Sequence, residues 1–388
     1  MVVLKGITWD HDRGFSPLVY TSRCFSAEHP ETRITWRKRS LRDFGDYPIE
    51  KLIDDYDLLL IDHPFVGEAC EKGLLLDLNE YMSPEELSVR AGQEMGHSYR
   101  CYNYNGKQLA LGVDSAALVS AAREDLLNEA GLTRPEDFDR LIELAGKLPA
   151  GKSIAIPLCP TDAWCIFLSL AAAEKGQGLI DGGGISADGA LASLRRLAML
   201  RDIADPRSID WNPVQVLDRM AGSDEIVYVP YCFGYVNYAW LDRPNPISFG
   251  DSPLWSGAQT ATVMGGVGIA VSSVSRYKAE AVEYVRYVTD PNIQKSTYLF
   301  SGGQPGQLDA WTSDYCNRLT GKFFLNTLST MERAYMRPRV PGWNVFQEQG
   351  GVIVNDYLRG RYTAEETADK INSLFRQNFA RLNEANWS

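Results

Sequence analysis

The chain has 388 residues, of which 45% are hydrophobic and 23% charged, so it is long enough to form two folded domains. Its formal net charge of -11 argues against nucleic acid or anionic membrane as a partner, because both require a basic surface. There is no run of about 18 apolar residues, so no segment is predicted to span a membrane.

Strands and helices alternate in the first 76 residues. Residues 7–9, 32–37 and 56–61 are predicted as strands, and residues 48–55 as a helix between the last two. A stripe at helical spacing that begins at Phe15 follows the first strand. This βαβα order predicts a parallel sheet covered by helices.

The remainder of the chain continues the alternation. The predicted order is strand 108–113 running into 114–119, helices 124–130 and 135–148, strand 153–158, helix 164–175, a glycine-rich loop 176–189 with a turn at 182–184, helix 190–203, strands 225–230 and 261–272, helices 281–288 and 292–300, and a last helix 364–382. The pattern indicates an α/β protein.

Polar and aromatic residues follow several predicted strand ends. Asp10-His11 and Asp62-His63 each come directly after a strand, and ligands bind beyond the carboxyl ends of strands in open sheets. These residues therefore predict a ligand cleft. A structural alternative is that Asp10 and His11 cap the helix that follows them.

Two nucleotide-binding patterns are not supported. Gly265-Gly266-Val-Gly268 precedes a strand instead of opening a helix, so it is not a dinucleotide fingerprint. There is no GxxxxGK[ST] sequence, so the chain is not an ATPase of the P-loop type.

Four landmarks together resemble a known family. They are DLLLIDHPFVGEACEKGLLLDL at 57–78, the segment 109–127 ending in Arg-Glu-Asp-Leu-Leu, Pro135-Glu-Asp-Phe138, and Gly265-Gly-Val-Gly-Ile-Ala-Val-Ser272 followed by a helix, Pro291 and Gln294. Their order resembles that of the family 1 extracellular solute-binding proteins of ABC importers, which include sugar-binding proteins.

The resemblance implies a two-lobe fold of the type II periplasmic binding protein class. Each lobe would be a mixed, mostly parallel sheet flanked by helices, and hinge crossovers would join the two. The N-terminal lobe would comprise residues 1–112 and 259–310, and the C-terminal lobe residues 113–258 and 311–388.

The resemblance also implies a cleft in which aromatic rings stack on a small polar solute and polar groups pair with its hydroxyls. The solute would be a carbohydrate or a related polyol or acid, delivered by a monomer to an ABC permease in the inner membrane, with no cofactor, no metal and no catalysis. The candidate ligand-binding residues are Trp9, Asp10, His11, His63, Phe65, Asp114, Asp162, Trp164, Tyr231, Phe233, Tyr235, Trp255, Gln304 and Trp343.

Two other functions remain open at the level of the sequence. The first is an enzyme on the same fold, using Asp and His for acid–base chemistry or, like thiaminase I, a cysteine nucleophile such as Cys165 or Cys232. The second is a cytoplasmic metabolite sensor. The family is periplasmic, whereas seven cysteines without a CxxC pair and a start that does not read as a signal peptide favour the cytoplasm.

Overall fold

The structure is a computed structural model that describes residues 1–46, 48–181, 184–255, 257–258 and 261–380. The first half of the chain contains β1 (Val2–Trp9), α1 (Asp12–Glu28), β2 (Thr32–Arg39), α2 (Leu41–Asp46), β3 (Leu58–Ile61), α3 (Val66–Glu71), α4 (Pro84–Ala91), β4 (Asn103–Tyr104), β5 (Lys107–Gln108), β6 (Leu111–Ala122), α5 (Glu124–Glu129), α6 (Phe138–Lys147), β7 (Ser153–Ile154) and α7 (Pro160–Lys175).

The second half is richer in helices. It contains β8 (Ile180–Asp181), β9 (Gly184–Ile185), α8 (Ala187–Ile203), α9 (Pro213–Gly222), β10 (Ile226–Phe233), β11 (Ser248–Gly250), β12 (Met264–Val271), α10 (Lys278–Val288), α11 (Pro291–Ile293), a π-helical turn (Gln294–Tyr298), α12 (Leu308–Thr312), α13 (Asp314–Leu319), α14 (Phe323–Glu332), α15 (Trp343–Leu358) and α16 (Ala364–Phe379). None of the described helices is both long and apolar enough to cross a membrane.

The main sheet runs through both halves of the molecule. Its strand order is β2-β1-β3-β12-β6-β10-β7, and β11 also pairs with β6. We call the half built on β1, β2 and β3 the first lobe, and the half built on β7, β10 and β11 the second lobe. The strands β1, β2 and β3 are mutually parallel, as the βαβα order predicts, while β12 and β6 cross between the lobes as an antiparallel pair.

Each lobe has its own apolar core. The first lobe packs α1 and α10 on the sheet around Leu4, Leu18 and Tyr284, while the second packs α7, α8, α15 and α16 around Phe167 and Phe346. The strand β6 is buried along its whole length, because it lies in the middle of the sheet and is covered on both faces. The two-lobe prediction is thus confirmed.

Several predicted element bounds are wrong. The predicted helix 48–55 is only a 3-10 turn, Ile49–Lys51, and the predicted strand 153–158 pairs only as β7. The strand predicted to end at residue 230 continues to Phe233, because Cys232 and Phe233 pair with β6 beyond a bulge. Part of the predicted turn 182–184 and the end of the predicted helix 364–382 lie outside the described residues.

Candidate functional site

A cavity of about 480 Å³ lies between the two lobes. Residues from the first lobe, from the second lobe and from the crossing strands all contribute to its wall. They include Trp9, Arg13, Phe44, Asp62, Ala116, Cys159, Asp162, Cys165, Asp210, Phe233, Tyr235, Gly265, Gly266, Arg337 and Glu348. Because the wall combines aromatic faces with charged groups, it suits a solute that is partly apolar and partly polar.

The floor of the cavity is made by the crossing strands. Gly266 has φ +108, and a Cβ there would lie 2.5 Å from the Asp114 carbonyl oxygen. The register between β12 and β6 shifts directly after it, between Val267 and Gly268. Only glycine accommodates this backbone at so close an approach, so the sequence places a kink at the point where the lobes meet.

Arg13 and Asp114 form a buried ion pair beside the floor. Arg13 Nε donates to Asp114 Oδ2 at 2.7 Å, and a second guanidinium nitrogen donates to the other carboxylate oxygen. The same guanidinium donates to the Gly234 carbonyl at 2.8 Å and lies 4.6 Å from the Tyr235 ring centroid. The pair therefore joins α1, β6 and the end of β10. Both oxygens of the Asp114 carboxylate already accept hydrogen bonds from Arg13.

Asp62 forms a second ion pair at the wall. Its Oδ2 accepts from an Arg337 guanidinium nitrogen at 2.6 Å, and its Oδ1 accepts from the His63 backbone N–H. Burial acts to raise the pKa of Asp62, but the Arg337 charge and His63 outweigh it, so the pKa lies well below its usual value. Burial and Arg337 lower the pKa of His63 to about 4, so this fully buried ring is neutral at pH 7.

Asp162 faces the cavity without a cationic partner among the described residues. It lies in the first turn of α7 and is 5% exposed, and its one side-chain hydrogen bond in this part of the structure is accepted from Cys159 Sγ at 2.9 Å. Burial raises the pKa of Asp162 to about 7. This carboxylate is therefore held in an environment that disfavours its charge.

Aromatic rings from both lobes face the same space. Trp9 ends β1 and packs on Phe44 with ring centroids 5.2 Å apart, and its indole N–H has no hydrogen-bond partner in the described structure. Phe233 and Tyr235 approach from the second lobe. An indole ring can stack on a solute while its N–H donates a hydrogen bond to a polar group.

A family model described as bacterial extracellular solute-binding protein matches residues 50–315, which is well over half of the chain. The chain belongs to this family. It is therefore a solute-binding protein that works with an ABC transporter, and not an enzyme.

Solved structures of two-lobe binding proteins share its fold. Maltose-bound MalE3 of T. maritima is 17% identical, with 97% of this chain and 100% of that chain covered and a TM-score of 0.84. A solute-binding protein from Thermotoga lettingae TMO with α-D-tagatose is 18% identical, with 97% and 100% covered and a TM-score of 0.81. One from Agrobacterium radiobacter K84 with ribitol is 17% identical, with 98% and 99% covered and a TM-score of 0.81.

In this solute-binding protein the Asp10-His11 pair lies in a neighbouring open groove of about 620 Å³, together with Asp218 and Tyr238. His11 is the N-cap of α1, since its Nδ1 accepts from the Arg13 N–H at 3.0 Å, and Asp10 pairs with a surface lysine. Burial lowers the pKa of His11 to about 4. The capping alternative therefore describes His11, which caps the helix that carries Arg13.

Besides Asp10, His11 and Asp114, seven further candidate residues do not line the cavity. Trp164 and Trp343 pack against Phe346, because both point from helices into the second-lobe core. The buried Tyr231 hydroxyl donates to the Pro253 carbonyl, and Trp255 lies under the Arg196 guanidinium at 3.9 Å. The others are Phe65, which packs in an apolar core, His63, which is fully buried next to Asp62, and Gln304. The Gln304 side-chain amide accepts from the Val236 N–H and donates to the Ser115 carbonyl.

The cysteines do not provide a nucleophile at the cavity. All seven, which lie in the described part of the chain, are free thiols. Cys165 lines the cavity, but burial raises its pKa to about 12, and burial raises the pKa of Cys159 and of Cys232 as well. A thiol in such an environment stays protonated at neutral pH, in keeping with a binding protein.

The residues that sequence reasoning missed are mostly the charged ones. Arg13 follows the first strand end by one helical turn, so its position could have been inferred from the same argument that selected Trp9. Arg337 lies in the segment between α14 and α15, far along the chain from Asp62, and no local pattern marks it.

Proposed function

We propose that this protein captures a small carbohydrate or polyol between its lobes and delivers it to an ABC permease in the inner membrane. The observation that carries the proposal is the cavity between the lobes, where aromatic rings and charged groups from both lobes line one space. Its volume of about 480 Å³ is in the range of small-molecule sites. The maltose, tagatose and ribitol bound by proteins of the same fold support this class of solute.

Capture follows from the arrangement of the groups. Trp9 and Phe233 would stack on the C–H faces of the solute from opposite lobes, while Asp62 and Asp162 would accept hydrogen bonds from its hydroxyls. Because these groups belong to different lobes, a solute gains all of its contacts only when the lobes are closed. The solute would therefore shift the population of the protein toward the closed form, which the permease would recognise.

The proposal includes the boundaries of the two lobes. We assign residues 1–112 and 259–310 to the first lobe, and residues 113–258 and 311–388 to the second. A monomer in the periplasm is the form that would present a closed cleft to a permease. The family description as extracellular supports a location outside the cytoplasm.

Native mass spectrometry of the purified protein tests the capture. We expect the purified protein to retain a ligand with the mass of a sugar or polyol, or its melting temperature to rise when maltose, D-tagatose or ribitol is added. The variant Trp9→Ala should weaken this binding by about tenfold or more, as loss of a stacking aromatic does. Tyr20→Ala, at an exposed residue of α1 that is not among the lining residues of the cavity, is the matched control. If no carbohydrate or polyol binds the wild type, the proposal is wrong.

A further inference from the structure

Among the described residues, the lining of the cavity carries more negative than positive charge. The described lining contains two guanidinium groups, those of Arg13 and Arg337, and each is already paired with a carboxylate. Asp210 is paired with Arg359 at the surface. The guanidinium charges are therefore neutralised before a solute arrives.

Asp162 is a buried carboxylate of the cavity lining that has no counter-ion in the described structure. Its only side-chain hydrogen bond there comes from the neutral Cys159 thiol, and its side chain is almost entirely shielded from bulk water. Isolated buried carboxylates are unfavourable unless a cation or several hydrogen bonds compensate them. The N-cap position of α7 belongs to Cys159, so Asp162 is not needed there as a cap.

The aromatic rings around the same space point to the same charge. Four rings line the cavity; those of Tyr235 and Phe44 already lie under the Arg13 and Arg39 guanidinium groups, which shows that ring faces at this site attract cations, and the rings of Trp9 and Phe233 would do the same for a solute. An ammonium group beside Asp162 would gain an ion pair in a site largely removed from water, together with the attraction of these rings. A solute carboxylate would instead meet an unpaired carboxylate, while each described guanidinium of the lining already has a carboxylate partner.

We propose, on the basis of the function proposed above, that the solute carries a protonated amino group, as an amino sugar or aminopolyol does, and that Asp162 is its counter-ion. Asp162 is then the residue that determines specificity, and the cavity rejects sugar acids. This narrows the solute class from carbohydrates and polyols in general to their amine-bearing members.

Isothermal titration calorimetry with matched sugars tests this assignment. The monosaccharide probes are D-glucose, D-glucosamine, which has an amine in place of the C2 hydroxyl, and D-glucuronate, which has a carboxylate at C6. The disaccharide probes are cellobiose and the β-1,4-linked glucosamine dimer, which differ by the same C2 amine on both rings. We expect an amine-bearing sugar to bind at least about tenfold more tightly than its neutral counterpart, and glucuronate to give no measurable binding. In Asp162→Asn the preference for the amine should fall below about threefold.

The variant Asp188→Asn is the control. Asp188 lies in the first turn of α8 and is exposed, so the change removes the same charge from the first turn of a helix at a residue that does not line the cavity. Its preference for the amine should equal that of the wild type. Circular dichroism of each variant checks that it is folded.

The possible failures separate the two proposals. If a neutral sugar or polyol binds and no amine-bearing probe binds more tightly, or if Asp162→Asn keeps the preference, the amine assignment is wrong and the capture proposal stands. If glucuronate binds as well as glucosamine, the assignment is also wrong. If neither these probes nor maltose, tagatose and ribitol bind, both proposals are wrong.

Discussion

Replacement of Asp162 by Asn should stabilise the protein at neutral and alkaline pH. The amide has nearly the same shape as the carboxylate and keeps an oxygen to accept from Cys159, but it carries no charge to be buried. A group that is kept for binding at the expense of stability has this property, whereas a carboxylate that supports the fold does not.

The magnitude follows from the pKa of Asp162, which burial raises from 3.8 to about 7. Below pH 4 the carboxyl is protonated in both the folded and the unfolded chain, so it has no effect on the pH dependence. Between pH 4 and pH 7 its ionisation favours the unfolded chain by about 1.4 kcal/mol for each pH unit, which reaches about 4 kcal/mol above pH 7 as an upper bound. We expect Asp162→Asn to exceed the wild type by about 2 to 4 kcal/mol at pH 8 and by less than about 1 kcal/mol at pH 4.

Urea denaturation at several pH values, in the absence of solute, measures this difference. Asp188→Asn again serves as the control, because it loses the same favourable interaction with a helix N-terminus, of about 0.3 to 1 kcal/mol, without relieving a buried charge. A stability difference for Asp162→Asn that does not change between pH 4 and pH 8 would refute the reasoning. So would a variant less stable than the wild type at pH 8, since Asp162 would then have a structural counter-ion.

Three further changes test other parts of the site. Arg13→Met should cost about 3 to 5 kcal/mol in urea denaturation, because it leaves the Asp114 carboxylate buried and unpaired, and Arg13→Lys should recover part of the loss. His11→Asn keeps an N-cap but removes a ring whose pKa burial lowers from 6.5 to about 4, so the variant should escape a loss of up to about 3 kcal/mol that the wild type suffers between pH 7 and pH 4. Gly266→Ala should lower the free energy of unfolding by about 2 kcal/mol or more, since its Cβ would meet the Asp114 carbonyl, whereas Gly146→Ala, with open space around it, should not.

The fold could be inferred from sequence because its signals are local. The alternation of strands and helices in the first 76 residues and the order of the four landmarks indicated two α/β lobes, and the sheet and the family agree. Bounds failed where tertiary contacts decide them. The strand β10 extends to Phe233 only because β6 offers a partner beyond the bulge.

The site was less accessible to the same reasoning. Positions at strand ends led to Trp9 and Tyr235, which the structure places in the cavity wall. The same reasoning also selected Trp164, whose ring points from the helix into the core, and neither hydrophobicity nor position distinguishes the two kinds of aromatic. Ion pairs such as Arg337 with Asp62 join distant parts of the chain and leave no local trace.

The wholly buried strand β6 has a consequence for how this protein can vary. Its twelve residues belong to the sheets of both lobes, so a single residue inserted or deleted ahead of Asp114 would turn the side chains that follow to the opposite face and move Asp114 away from Arg13. The surface loops can change length freely, but this strand cannot. Chimaeras that combine one lobe with a lobe from another binding protein should therefore be joined within β6 only at equivalent register positions.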